Sequence, residues 1–144
     1  AVEPYCAPCI CLSTKKEKKM IGQLLANHIK IYLTKETNSV LLDVRTSEEL
    51  SEIGSPDGEK IGLKTYFLPI KSSHESSLDK DFIKKFKELN IDKDQKILII
   101  CRSGIRSQLA AELLAKENYN CINILDGFEG NCENVGWKKA GLPC

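Results

Sequence analysis

Apolar residues recur along this chain in two alternating rhythms. Val40–Val44, Tyr66–Ile70, Lys96–Ile100 and Cys121–Leu125 are short blocks of strand length, rich in Val, Ile and Leu. Lys96–Ile100 is apolar on both faces, as a central parallel strand must be. Pro69 places the Tyr66–Ile70 block at a sheet edge or a strand end, because proline has no amide to give the ladder. Other segments follow the helical period. Ile21, Leu24, Leu25, Ile29 and Tyr32 share one helical face, and so do Phe82, Ile83, Phe86 and Leu89 within Asp79–Asn90. A helix from Gly104 or Ile105 to about Glu117 is expected to turn Leu109, Leu113 and Leu114 inward. Thr46-Ser47-Glu48-Glu49 fits a capping box, and Val135–Ala140 a last short helix. Strands alternating with helices imply an α/β fold: a mostly parallel sheet with helices on both faces. In such a sheet ligands bind beyond the carboxyl ends of the strands, so the loops after Val44, Ile70, Ile100 and Leu125 share the candidate edge.

One of those loops carries chemistry. Cys101-Arg102-Ser103-Gly104-Ile105-Arg106-Ser107 places a thiol between the best strand and a helix start. Loop amides and the helix N-terminus favour the thiolate over the thiol. Gly104 permits the positive φ that inward-facing amides often need. Ser103 and Ser107 can donate to the sulfur or to a bound anion, or cap the helix. The composition sharpens this picture. Of 21 basic residues, only Arg45, Arg102 and Arg106 are Arg; the rest are Lys. Two of the three lie in the cysteine loop, where a planar fork of donors suits an oxyanion.

The remaining features narrow the class. The chain of 144 residues is one domain by length, with 42% hydrophobic and 28% charged residues. A net charge of +1 suggests neither a nucleic-acid nor a membrane surface, and no apolar run approaches the ~20 residues of a membrane span. Seven cysteines in no small-scaffold spacing point to a reducing, cytoplasmic setting. Residues 1–19 differ in composition and are expected to be a poorly structured extension before a domain at 20–144. Cys6, Cys9 and Cys11 imitate a redox dithiol or part of a metal site. The strand, helix and fourth ligand such sites need are missing from the pattern, so no metal or cofactor is expected. Asp43 and Arg45 end a neighbouring strand and support the site, with Arg45 expected to pair with Glu48, Glu49 or a carbonyl. Asp126 and Glu129 read as helix caps, Cys121 and Trp137 as core, and His28 as a core-boundary residue. His74 and Cys132 lie in loops on the candidate edge, His74 read as a solvated loop residue and Cys132 weighed as a resolving thiol.

The cysteine loop resembles the active-site loop of the rhodanese superfamily. Leu41-Leu42-Asp43-Val44-Arg45-Thr46-Ser47-Glu48-Glu49 is similar to the family's first signature. Leu125-Asp126-Gly127-Phe128-Glu129-Gly130 and Gly136-Trp137-Lys138-Lys139-Ala140-Gly141-Leu142-Pro143 resemble its closing segments. Ile53-Gly54-Ser55-Pro56-Asp57-Gly58 departs from the family pattern, which leaves that loop's path open. The resemblance implies a rhodanese-like sheet of about five strands and a single-domain sulfurtransferase. Cys101 would take sulfane sulfur from thiosulfate or a similar donor as a persulfide and pass it to cyanide, a small thiol or a protein thiol. Arg102 and Arg106 would hold the donor's oxygens, and Ser103, Gly104 and Ile105 would complete the loop. Two other readings stand beside it. One is a sulfur-carrying or redox-sensing module without turnover. The other is a cysteine-dependent phosphatase, disfavoured because four residues, not five, separate Cys101 from Arg106.

Overall fold

The computed structural model describes residues 20–71, 79–131 and 134–144. Five strands form one sheet: β1 (Gly22–Leu24), β2 (Ser39–Asp43), β3 (Lys64–Phe67), β4 (Lys96–Ile100) and β5 (Asn120–Ile124). Their order is β1-β5-β4-β2-β3, with every pair parallel. The helices are α1 (Ile29–Lys35), α2 (Ser47–Ile53), α3 (Phe82–Lys87), α4 (Ile105–Lys116) and α5 (Gly136–Lys139). The α/β expectation holds, and β3 lies at a sheet edge; it runs over Lys64–Phe67 rather than Tyr66–Ile70, ending before Pro69, which has no amide to give the ladder.

Pleating explains the two cores. Val40, Leu42, Ile97 and Ile99 point to one face, where Phe82 and Phe86 of α3 and Ala110, Ala111 and Leu114 of α4 cover them. Leu41, Leu98, Ile100 and Ile124 point to the other, under Ile29 of α1, Trp137 of α5 and Phe128. Ile97, Leu98, Ile99 and Ile100 are fully buried, which is why β4 reads as an unbroken apolar run. Each such side chain contributes about 1.5–3 kcal/mol by leaving water.

The structure corrects three expectations. The helical face over Ile21–Tyr32 is in fact β1, a 3-10 turn over Ala26–His28 and only then α1. Gly22 lets β1 lie close against Ile122 of β5, and this pairing overrides the local period. His28 is exposed rather than at the core boundary. On α4 the buried face is Ser107, Ala110, Ala111, Leu114 and Ala115, while Leu109 is 39% exposed. Alanines let the helix sit close to the sheet, and the i, i+3, i+4, i+7 spacing runs from Ser107, not Leu109. The segment after α2, whose path was open, runs towards the chain's end: the Asp57 amide donates to the Pro143 carbonyl at 2.9 Å.

Candidate functional site

Cys101 leaves β4 at the carboxyl edge of the sheet and is 1% exposed. Two groups hold its sulfur. The Gly104 amide donates to Sγ at 3.1 Å, and Ser107 Oγ lies 3.3 Å away. Both stand at the N-terminus of α4, whose free amides and dipole favour negative charge there. Gly104 has φ 106°, and a Cβ on it would lie 2.1 Å from the Leu125 carbonyl oxygen. No other residue fits, so the glycine sets the geometry that aims its amide at the sulfur.

The loop after β5 braces this arrangement from behind. Phe128 and Glu129 amides donate to the Cys101 and Arg102 carbonyls at 2.7 and 3.0 Å. Gly127 makes the approach possible, since a Cβ there would lie 2.5 Å from the Arg102 carbonyl. Asp126, buried beneath, accepts from the Ala26 and Gly136 amides at 2.9 Å each. It caps the 3-10 turn and α5, as a capping role predicted. Among the described residues, Glu129 caps no helix. It faces Arg102.

The two loop arginines are held differently. Arg106 makes two parallel bonds to Glu49, Nη1 to Oε1 and Nη2 to Oε2, both 2.8 Å. Glu49 is also the third residue of α2 and closes the capping box: Thr46 Oγ1 accepts its amide, and its carboxylate accepts the Thr46 amide. The Arg106 bond, against a smaller opposing effect of burial, takes the Glu49 carboxyl down to about 2; the same bond pushes the Arg106 guanidinium up. Arg102 is 62% exposed, with Nε 2.9 Å from Glu129 Oε2 at an angle that misses hydrogen-bond geometry. Glu129 Oε2 is buried there without a hydrogen bond, so the exposed Arg102 has no bonded anchor at this contact. Ser103 is half-buried and Ile105 is 72% exposed.

Asp43 and Arg45 are fully buried and turned to each other. Arg45 Nη2 donates to Asp43 Oδ2 at 2.9 Å and to the Gly54 carbonyl at 2.8 Å, and its guanidinium lies 4.3 Å over the Phe128 ring. The carbonyl partner agrees with expectation; the acidic partner is Asp43, not Glu48 or Glu49. Desolvation pushes the Asp43 carboxyl up against the pull of Arg45. None of these bonds reaches the Cys101 sulfur. They fix β2 against α2 and the β5 loop.

Two residues that sequence reasoning passed over complete the site. Asn123 of β5, 1% exposed, accepts from the Ser107 hydroxyl through Oδ1. Its Nδ2 donates to the Gly104 carbonyl at 3.3 Å and to Gln23 Oε1 at 3.0 Å. Asn123 had a signal: an amide at an inward position between Ile122 and Ile124 of an otherwise apolar stretch. Gln23 had none, since β1 read as helix. Cys6, Cys9, Cys11, His74 and Cys132 lie outside the described residues.

The family model described as the STR4 middle domain matches residues 22–144. Thiosulfate sulfurtransferase GlpE of Actinobacillus succinogenes is 31% identical over 107 residues, covering 74% of this chain and 75% of that protein. The chain belongs to the rhodanese superfamily. Uncharacterized protein RP600 of Rickettsia prowazekii is 42% identical over 108 residues, 74% of this chain and 82% of that one. The crystal structure of Rv0390 from M. tuberculosis superposes with a TM-score of 0.73 at 28% identity, covering 87% of this chain and 97% of that one. This rhodanese-like parallel sheet is the fold the sequence implied. No helix among the described residues is long and apolar enough to cross a membrane.

Proposed function

We propose that this rhodanese domain is a sulfurtransferase that moves sulfane sulfur through a persulfide on Cys101. The observation that carries this reading is the Cys101 sulfur held by the Gly104 amide and facing Ser107 at the start of α4. In the first half-reaction the Cys101 thiolate attacks the outer sulfur of thiosulfate; the S–S bond of the donor breaks and sulfite leaves with its electron pair. In the second, a thiophile such as cyanide, a small thiol or a protein thiol attacks the outer sulfur of the persulfide and returns Cys101 as thiolate. Two half-reactions on one nucleophile give ping-pong kinetics.

The different pairing of the two arginines supports a division of labour between them. Arg106 is committed to Glu49 and fixes the width of the loop. Arg102, exposed and loosely paired, is the cation that turns to the donor's sulfonate oxygens. The test is incubation with thiosulfate and cyanide. Thiocyanate forms, and intact-mass spectrometry after thiosulfate alone shows one added sulfur on Cys101. Folded protein that forms neither overturns the reading. Hydrolysis of aryl phosphates without sulfur loading would move the assignment to a phosphatase.

A further inference from the structure

Asn123 is a buried amide, and the partners around it leave its hydrogen bonds no freedom. The Gly104 carbonyl can only accept, so the group facing it at 3.3 Å is Nδ2. Gln23 presents Oε1 to the same Nδ2, because its own amide nitrogen donates to Gln108 Oε1 at 2.8 Å. Oδ1 therefore faces Ser107. Oδ1 can only accept, so the Ser107 hydroxyl donates to it. A hydroxyl has one proton. At the 3.3 Å contact between Cys101 and Ser107, the sulfur must then be the donor. The resting chain runs from Sγ to Oγ to Oδ1, with the Ser107 proton turned towards Asn123 and away from the sulfur.

Ionisation of Cys101 reverses the demand. A thiolate needs a donor, and Ser107 can serve only by swinging its proton away from Asn123. That leaves Oδ1 buried without its donor, a cost charged against the thiolate. We propose that Asn123 is a positioning residue that competes with the Cys101 thiolate for the Ser107 proton and thereby sets how readily Cys101 ionises. The inference rests on the reading of Cys101 as the nucleophile. It ties the reactivity of the cysteine loop to β5 and, through Gln23, to the edge strand β1.

The experiment measures iodoacetamide labelling of the Cys101 peptide against pH, by mass spectrometry, in the full chain. Asn123→Leu keeps the volume and removes the acceptor. Its labelling profile moves about one pH unit to acid, and the rate at pH 7 rises up to about tenfold. In a Ser107→Ala background the same substitution gives no further shift, because the hydroxyl that carries the effect is gone. A purely structural role moves the profile equally in both backgrounds; that outcome, no shift, or a shift to alkali overturns the proposal. Should Asn123→Leu lose its cooperative melt, Asn123→Val decides instead: it also removes the acceptor and suits a strand, so the profile moves to acid with Ser107 present and not in the Ser107→Ala background, and an equal shift in both or none overturns the proposal. Labelling needs no sulfur donor. A chain that shows the shift but loads no sulfur refutes the sulfurtransferase reading alone, and a chain that turns over without the shift refutes this inference alone.

Discussion

Cys101 and Cys121 are nearly equally buried, at 1% and 3% exposure, on neighbouring strands of one sheet. They differ in which end of the sheet they occupy. Cys121 pairs with Ile97 near the amino end of β4 and β5, whereas Cys101 follows the carboxyl end. Among the described residues, no long helix presents its first amides at the amino end. The Cys121 thiol donates only weakly, to the Tyr119 carbonyl at 3.9 Å, and burial pushes it up to about 12. It borders a surface cavity of about 260 Å³ with Tyr32, Glu36 and Lys96, where the Lys96 ammonium is paired with Glu36 at 2.9 Å. At the carboxyl end the amide of a positive-φ glycine and the start of a 12-residue helix meet the sulfur. Burial alone makes a cysteine inert; burial with aimed donors makes it a candidate nucleophile.

The largest expected effect separates the two thiols. Cys101→Ser lowers thiocyanate formation by at least roughly a thousandfold, since the covalent route is lost. Cys121→Ser leaves turnover within about twofold at equal folded concentration. Steady-state assays of both variants, with circular dichroism as the check on folding, decide it; equal losses would erase the distinction. Gly104→Ala comes next. The new Cβ meets the Leu125 carbonyl at 2.1 Å and φ 106° disfavours any side chain. Urea unfolding should show a loss of about 3 kcal/mol or more. Fully retained stability would mean that the loop does not need this backbone to hold the sulfur.

Much of this comparison was legible in sequence, for a physical reason. β4 and the cysteine loop are local patterns: an apolar run, a turn glycine and a helix start are contiguous in the chain. The capping box at Thr46–Glu49 was equally local. What could not be read was the pairing of distant segments. The second job of Glu49, gripping Arg106, depends on α2 and α4 meeting across 57 residues of sequence. β1 was misread because three residues follow any period, and only β5 beside them decides. Asn123 matters through Ser107 and Gly104, neighbours that adjacency in the chain does not reveal.

The Glu49–Arg106 pair sharpens the comparison at acid pH. Glu49 has a lower folded value, about 2, than its ordinary 4.5, so it binds protons more tightly in the unfolded chain. Its contribution is present above pH 4.5 and lost as pH falls towards 2. Glu49→Gln removes that part of the acid sensitivity. At pH 7 it costs about 1 kcal/mol, because the pair is partly solvated and one charge-assisted bond remains available to the amide. Stability curves of wild type and variant should converge between pH 4.5 and 2. Parallel curves through that window would show that the latch adds nothing to the carboxyl edge.

The smallest effect at neutral pH belongs to the other end of the sheet. The Cys121 thiol is raised from 9.0 to about 12 by burial, so above pH 9 the unfolded chain releases a proton that the folded chain keeps. Stability from this group is therefore complete below pH 9 and lost as pH rises to about 12. Cys121→Val keeps a small apolar side chain and cannot ionise. It should lie within about 1 kcal/mol of wild type at pH 7. The difference between the two then grows in the variant's favour from pH 9 upward, read by urea unfolding at each pH so that lysine and tyrosine titration cancels. A constant difference would mean that Cys121 ionises in place without penalty. The amino end of the sheet would then tolerate a thiolate, and the contrast with Cys101 would rest on the helix and Gly104 alone.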